Sequence, residues 1–160
     1  MRASYKIRLA KEDFKFSVAH FTIFGEACAE RLHGHNYRMI VEVAGPAINE
    51  LGLLIDLGPL KRSIRSLCAT LDGKTLVPEK CPLLEVARCE GSVDVRFEDR
   101  SYSFPDGDTL LLPILNTTLE ELALYSWQKL ASELDRSLLV ELSVEVAETP
   151  GQSCQYSSPL

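Results

Sequence analysis

Alternating apolar and polar positions predict β-strands near both ends of the chain. The alternation covers residues 5–9, 14–21 and 35–43, and it returns over residues 138–148. Because side chains two residues apart point to the same face of a strand, each segment presents one apolar stripe to a core. Residues 25–32, between the second and third segments, are expected to form a loop.

Two other segments have apolar residues at helical spacing. The first is predicted to be a helix over residues 57–71 with Asp56 as its N-cap. The second begins after Thr118, which can form a capping box with Glu121, and it runs through Leu134. The residues expected to face the core are Leu57, Leu60, Ile64, Leu67 and Leu71 in the first helix and Leu119, Leu122, Trp127, Leu130 and Leu134 in the second.

Between the two helices the pattern changes again. Residues 84–112 form short alternating segments, interrupted by the polar residues 98–100 and 105–108, which predicts inserted β-hairpins. The order strand, strand, helix, hairpins, helix, strand is typical of an α+β domain with helices on one face of an antiparallel sheet. We expect a single domain over residues 1–160, with an inserted hairpin arm at about 84–112.

Composition narrows the class of protein. A chain of 160 residues with 46% hydrophobic residues can bury the core of one ordinary domain. Its 23 acidic and 17 basic side chains give a net charge of -6, which argues against nucleic acid or anionic membrane as a partner. Residues 1–6 are not followed by an apolar signal segment, and the five cysteines lack CxxC spacing. We therefore expect a cytoplasmic protein with reduced thiols.

All three histidines of the chain lie within sixteen residues, as His20 and the pair His33 and His35. His20 ends one apolar stripe, and the pair heads the next. In a strand the two members of the pair point to the same side, roughly 6.5 Å apart along the chain, so both rings can reach one ion. Three imidazoles suit zinc and leave a fourth position for water or substrate, as in catalytic zinc sites. The alternative is three unrelated surface or core histidines.

Glu148 continues the apolar stripe of the last predicted strand. A carboxylate is costly to bury unless something binds it. The pattern leaves two interpretations open: Glu148 lies at the wet rim of the sheet, or it anchors a ligand.

Several segments besides the histidines carry a resemblance to a known family. They are FSVAH at 16–20, CAERLHGHNY at 28–37, GLLIDLGPLK at 52–61, LD at 71–72, TTLE at 117–120 and VAETP at 146–150. Together they span nearly the whole chain in order, and the sequence resembles the 6-pyruvoyl-tetrahydropterin synthase and 6-carboxytetrahydropterin synthase family. This combination is far more specific than the HxH motif alone.

The resemblance implies a tunnelling fold, in which a four-stranded antiparallel sheet is backed by two helices and several subunits close their sheets into a barrel. It also implies a homotrimer or homohexamer with active sites between subunits. The implied substrate is a small-molecule pterin, and the implied cofactor is Zn²⁺ held by His20, His33 and His35. The strand and helix order predicted from the pattern agrees with this fold.

The resemblance also assigns roles to further residues. Cys28, five residues before His33, matches the cysteine that moves protons, since a thiol near a divalent cation loses its proton more readily. Glu148 would accept hydrogen bonds from the pterin ring, and Thr118 would assist there. Asp72 matches the aspartate of a catalytic Asp-His pair. Without the resemblance, Cys28 is simply an inert loop cysteine.

The sequence departs from the family where the histidine of that pair should stand. Asp72 is followed by Gly73 and Lys74, and the chain has no fourth histidine that an identical neighbour could supply. Glu30 is the expected substitute, because residues 30–35 also match the ExxHGH pattern of family members that cleave the dihydroneopterin side chain. A carboxylate near a metal can act as general base when burial lifts its pKa towards neutrality. The alternative for Glu30 is a solvated loop charge. Separately, Lys74 and Asp72 could form a simple ion pair in place of the usual Asp-His pair.

These features lead to a ranked set of functions. The first is a zinc-dependent lyase that converts 7,8-dihydroneopterin triphosphate to 6-pyruvoyl- or 6-carboxy-tetrahydropterin with loss of triphosphate. The second is cleavage of the dihydroneopterin side chain to 6-hydroxymethyl-7,8-dihydropterin. The third is a pterin- or zinc-binding homologue with little catalysis. A three-histidine zinc hydrolase unrelated to pterins ranks last, because it leaves Glu148 unexplained.

Overall fold

The computed structural model describes residues 4–160. Residues 1–3, part of the predicted domain and of the N-terminal segment used above, lie outside the described residues. The helices are α1 (Leu57–Leu71) and α2 (Leu119–Glu133). The strands are β1 (Tyr5–Leu9), β2 (Lys15–His20), β3 (Ile23–Gly25), β4 (Cys28–Ala29), β5 (His33–Gly45), β6 (Lys74–Pro78), β7 (Glu85–Cys89), β8 (Ser92–Phe97), β9 (Arg100–Pro105), β10 (Thr109–Leu112), β11 (Glu141–Thr149) and β12 (Gln152–Pro159).

The long strand β5 organises an antiparallel core. Its first half pairs with β2 and its second half with β1, so these two strands act as one interrupted neighbour. On its other side β5 pairs with β11, and β11 pairs in turn with β12. The apolar stripes of β5 and β11 are fully buried, because both helices pack against that face in one hydrophobic cluster. This is the expected layer of helices on one face of an antiparallel sheet.

The sheet is larger than the predicted one. It contains seven strands rather than four, because β6 pairs with β2 and β10 pairs with β6, both in parallel. The sequence pattern also missed β12, whose residues alternate between exposed and half-buried without a continuous apolar stripe. Val140, which the pattern placed in the buried stripe, lies one residue before β11 and is 52% exposed.

Both helices begin where capping predicts, and α2 ends at Glu133, one residue before the predicted Leu134. The Asp56 carboxylate accepts a hydrogen bond from the Gly58 N–H, and α1 covers the expected residues 57–71. The Thr118 hydroxyl accepts from the Glu121 N–H, as the capping box requires. The Glu121 carboxylate accepts instead from the Leu115 N–H at 3.2 Å, so only half of the box forms. Neither described helix is both long and apolar enough to cross a membrane.

Residues 85–105 form a separate three-stranded antiparallel sheet, which we call the arm. After the arm, a short 3-10 turn leads into β10, so the last residues of the predicted hairpin segment belong to the main sheet. Val93, Val95 and Phe97 on the inner face of the arm pack in a second hydrophobic cluster with Phe21 and Ile23. The arm therefore lies against the segment that directly follows His20.

Candidate metal centre and active site

Strand register brings the three histidines together. His20 ends β2 and His33 begins β5, and the two are directly opposite each other in the antiparallel pairing. His35 follows two residues later on the same face. The ring centroids of His20 and His33 lie 4.9 Å apart, and those of His33 and His35 lie 4.6 Å apart. The small hairpin of β3 and β4 connects the two strands, so the segment expected to be a loop, residues 25–32, contains β4 and the last residue of β3.

Glu148 joins this group from the other end of the chain. It lies near the end of β11, whose Ala147 pairs with Arg38 of β5. Its carboxylate is 2.5 Å from Nε2 of His35, and its side chain is only 12% exposed. The sequence left open whether Glu148 lies at the wet rim of the sheet or anchors a ligand. In the structure its carboxylate is largely buried against a histidine rather than at an open rim. His20, His33, His35 and Glu148 each offer a ligand atom, and these atoms all lie within 4.8 Å of one another. We call these four residues the donor cluster.

Backbone carbonyls orient two of the rings. Nδ1 of His20 lies 3.1 Å from the Thr117 carbonyl, and Nδ1 of His33 lies 2.6 Å from the Arg31 carbonyl. Because a carbonyl only accepts, each Nδ1 carries a proton, which leaves Nε2 as the nitrogen that faces the cluster. Nε2 of His20 accepts a hydrogen bond from the Tyr37 hydroxyl at 3.0 Å, and a metal ion bound at this nitrogen would replace that hydrogen bond. A hydrogen bond from Nδ1 to a backbone carbonyl, which fixes the orientation of the ring, is a regular feature of metal-binding histidines.

The donor cluster fits a divalent metal ion. Burial, and then the neighbouring His33 and His35, lower the pKa of His20 from 6.5 to about 4, so its ring is neutral at ordinary pH. A metal ligand must be a neutral imidazole, which this ring already is. Zinc and other divalent transition metals accept imidazole and carboxylate ligands, so three imidazoles and a carboxylate suit them. The cluster could therefore hold a metal ion.

Glu30 lies beside the donor cluster. Its Oε2 accepts a hydrogen bond from the Thr22 N–H at 3.1 Å and lies 3.9 Å from Nε2 of His33. The side chain is 37% exposed, so one side of the carboxylate remains open to solvent or substrate. Cys28 is exposed in β4, and among residues 4–160 its thiol makes no hydrogen bond to a histidine. Within one chain, geometry therefore places Glu30 rather than Cys28 against the histidines.

Asp72 is not brought to the donor cluster within one chain. Its carboxylate accepts a hydrogen bond from the Ser17 N–H at 2.7 Å, which ties the end of α1 to β2. The expected Asp72–Lys74 ion pair does not occur among the described residues, because Lys74 donates to the Gly107 carbonyl instead. Gly73 has a φ of +71°, a left-handed conformation in which a histidine would be strained.

Thr118 reaches the cluster only through its neighbour. Its own hydroxyl caps α2, whereas the carbonyl of Thr117, one residue earlier, orients His20. The buried Thr117 hydroxyl also donates to the Phe21 carbonyl at 2.8 Å. The N-terminus of α2 is thus joined to the strand that carries His20.

Tyr37 is a site residue that the sequence reasoning did not single out. Burial, and then the carboxylates of Glu148 and Glu30, raise the pKa of its hydroxyl above the ordinary value, so it stays protonated and can donate. Its position on the same strand parity as His33 and His35 was the available signal. The partner of its hydroxyl could not be read from the pattern, because His20 lies on another strand.

Comparison with known proteins supports a pterin enzyme family. A model of the family "6-pyruvoyl tetrahydropterin synthase" matches residues 8–159. A Methanocaldococcus jannaschii protein is 29% identical over 145 residues, covering 89% of this chain and 88% of the relative. A Pyrococcus abyssi protein is 31% identical over 137 residues, covering 85% of this chain and 81% of the relative. Both are named "Putative 6-carboxy-5,6,7,8-tetrahydropterin synthase".

Solved structures give the same result. The crystal structure of 6-pyruvoyl tetrahydropterin synthase from Plasmodium vivax superposes with a TM-score of 0.93 at 29% identity and covers 99% of both chains. Two further structures of that enzyme, each with a TM-score of 0.92 at 28% identity over 99% of both chains, carry alanine or cysteine at a glutamate described as catalytic. With the family model matching residues 8–159, these findings confirm the resemblance: the chain belongs to the 6-pyruvoyl tetrahydropterin synthase family.

Proposed function

We propose that this protein is a zinc-dependent lyase that converts 7,8-dihydroneopterin triphosphate to 6-pyruvoyl-tetrahydropterin with loss of triphosphate, or to 6-carboxy-tetrahydropterin with loss of triphosphate and of the outer two side-chain carbons. The observation that carries the proposal is the donor cluster, whose ligand atoms all lie within 4.8 Å of one another. The names of the relatives support the pterin substrate and leave both products open.

The residues have distinct roles in this proposal. His20, His33 and His35 hold the metal ion, which when bound polarises the hydroxylated side chain of the pterin and makes its protons more acidic. Either Glu30 or Cys28 accepts a proton from that side chain: the Glu30 carboxylate faces the cluster and has an open side, and the Cys28 thiol is the base that the family resemblance implies. Glu148 and Thr118 recognise the pterin ring, where a charged acceptor pairs with ring N–H and amino groups.

Substrate turnover tests the proposal directly. Purified protein loaded with zinc is incubated with 7,8-dihydroneopterin triphosphate, and triphosphate release and product masses are measured. We expect triphosphate and a tetrahydropterin product. The absence of triphosphate release from folded, metal-loaded protein would reject the proposal.

Side-chain cleavage to 6-hydroxymethyl-7,8-dihydropterin is the second candidate, and the position of Glu30 favours it. The carboxylate lies at the histidines whereas Cys28 is exposed, as expected from the ExxHGH pattern at residues 30–35. In this reaction Glu30→Ala abolishes the 6-hydroxymethyl product and Cys28→Ala leaves it. If Cys28→Ala abolishes turnover instead, the thiol is the base and the first candidate is favoured. Tight pterin binding without turnover would indicate the weakly catalytic homologue.

Asp72 belongs to the proposal as a residue that acts across a subunit interface. Its carboxylate lies away from the cluster of its own chain, and the family resemblance implies sites between subunits. The homotrimer or homohexamer, the single domain over residues 1–160 and the cytoplasmic location remain predictions of the same proposal.

A further inference from the structure

The arm has no role in the chemistry proposed so far, yet one of its residues contacts the segment that carries Glu30. Arg100 is the first residue of β9, directly after the two-residue turn Glu98-Asp99, where Glu98 has a φ of 53°. This turn directs Arg100 towards the link between β4 and β5. Its Nη1 donates to the Glu30 carbonyl at 2.6 Å, and its Nη2 donates to the Ala29 carbonyl at 3.3 Å.

The contact completes a set of bonds around Glu30. On one side, the Glu30 N–H donates to the Thr22 carbonyl at 2.9 Å, and the Glu30 carboxylate accepts from the Thr22 N–H at 3.1 Å. On the other side, Arg100 holds the carbonyl. The next carbonyl along the chain, that of Arg31, orients His33. The backbone of this link thus connects the arm to both the proposed base and a metal ligand.

An arginine suits this position chemically. A planar guanidinium offers parallel N–H donors, so it can hold two successive carbonyls at once, and a charged donor makes a stronger bond than a neutral one. The Phe97 ring, 6.0 Å from the guanidinium carbon, supports it from the same hairpin. Tyr102 of β9 stacks on Phe21 at 5.5 Å, which fixes the arm next to His20.

We propose that Arg100 is a positioning residue: through the Ala29 and Glu30 carbonyls, the arm holds the Glu30 carboxylate in place against the donor cluster. The inference rests on the proposed function for its effect on turnover, but its structural part can be measured without substrate. It assigns the inserted arm a role in catalysis that is exerted through the backbone.

The first test is hydrogen exchange of metal-loaded protein without substrate. Arg100→Met keeps the length of the side chain and removes its donors, so the amides of residues 28–31 should exchange about tenfold faster. Arg100→Lys, which can hold one carbonyl, should lie in between. Arg88→Met is the matched control, since Arg88 is an exposed arginine of the arm whose side chain makes no hydrogen bond among the described residues, and it should match the parent protein. Unchanged exchange in Arg100→Met would overturn the proposal, whatever the enzyme does.

The second test asks whether Arg100 acts through Glu30. Arg100→Met should lower kcat about tenfold while KM changes less than about twofold, because a small misplacement of a catalytic group costs rate rather than binding. In a Glu30→Gln background the same substitution should cause no further loss. An equal loss in both backgrounds, or an unchanged kcat, would overturn the proposal. If the parent protein has no turnover while exchange still accelerates in Arg100→Met, the proposed function fails and the positioning contact stands.

Discussion

His20 shows how one residue can serve both the site and the core. Its exposed fraction is only 4%, its Nδ1 donates to the Thr117 carbonyl, and its Nε2 faces the Tyr37 hydroxyl and the other histidines. A neutral ring satisfies all of these contacts, whereas a charged ring would be desolvated beside two more imidazoles. The same burial that prepares the ring for a metal ion therefore makes the metal-free protein sensitive to acid.

The pH dependence has a definite sign. The pKa of His20 is lowered from 6.5 to about 4 in the folded protein, so between these values only the unfolded chain binds the proton. As the pH is lowered from 6.5 to about 4, the free energy of unfolding of the metal-free protein should decrease, by at most about 3 kcal/mol. Urea denaturation at a series of pH values measures it. The His20→Gln variant should lack this part of the slope, and identical slopes in both proteins would contradict the prediction.

Glu148 can be distinguished from a metal ligand by substitution. If it recognises the pterin ring, Glu148→Gln should raise KM about tenfold or more and lower zinc affinity less than about tenfold, because a ring contact is lost and the three imidazoles remain. His35→Ala should lower zinc affinity about 100-fold or more. Zinc titration and steady-state kinetics of both variants measure these effects. An equal loss of zinc affinity in the two variants would identify Glu148 as a fourth ligand.

Strand parity was enough to find the candidate donors from sequence, because His33, His35 and Glu148 each extend an apolar stripe that must face the core. It could not find Arg100 or Thr117. Arg100 donates to the Glu30 carbonyl, and the Thr117 carbonyl accepts from His20. In both contacts the partners are about seventy or more residues apart in sequence, and such contacts leave no periodic signal.

At the scale of elements, the helices were predictable and several strands were not. Asp56 and Thr118 determine where the helices begin, and each is followed by a strong apolar face. By contrast, β6 and β10 have five and four residues and pair in parallel, so alternation says nothing about their neighbours. The edge strand β12 carries Cys154 and Tyr156 among polar residues, which is too weak a stripe to recognise.

The two helix caps provide a matched pair of variants. Asp56→Ala and Thr118→Ala each remove a cap, so each should lower the free energy of unfolding by about 1 kcal/mol. Only Thr118→Ala should also raise KM for the pterin, because α2 begins next to the carbonyl that orients His20. Urea denaturation and steady-state kinetics check both effects. If Asp56→Ala raises KM as much as Thr118→Ala does, the loss reflects stability and Thr118 has no place in substrate recognition.

At the scale of the whole molecule, three strands of the main sheet, β1, β10 and β12, pair on one side only among the described residues, and Asp72 lies apart from the donor cluster. If Asp72 acts in a neighbouring subunit, each active site takes Glu30 from one chain and Asp72 from another. Subunits that lack different groups should then complement each other.

Mixing inactive variants tests this arrangement. Glu30→Gln and Asp72→Asn subunits, refolded together, should form some intact sites and recover about tenfold more activity than either variant alone. Each variant refolded by itself is the control, and sedimentation shows whether trimers or hexamers form. Full activity of Asp72→Asn alone would limit Asp72 to its hydrogen bond with Ser17.

The opposition of His20 and His33 in one strand pairing also bears on how the chain reaches its native state. The three imidazoles proposed to hold the metal ion belong to a single hairpin, so a short stretch of nascent polypeptide already contains all of them. Contacts between residues close in sequence form early, because little loop entropy opposes them. We therefore expect that a metal ion bound to these residues in the unfolded chain would favour formation of this hairpin before β11 docks. Such binding to the unfolded chain would reduce the net thermodynamic stabilisation that the ion provides.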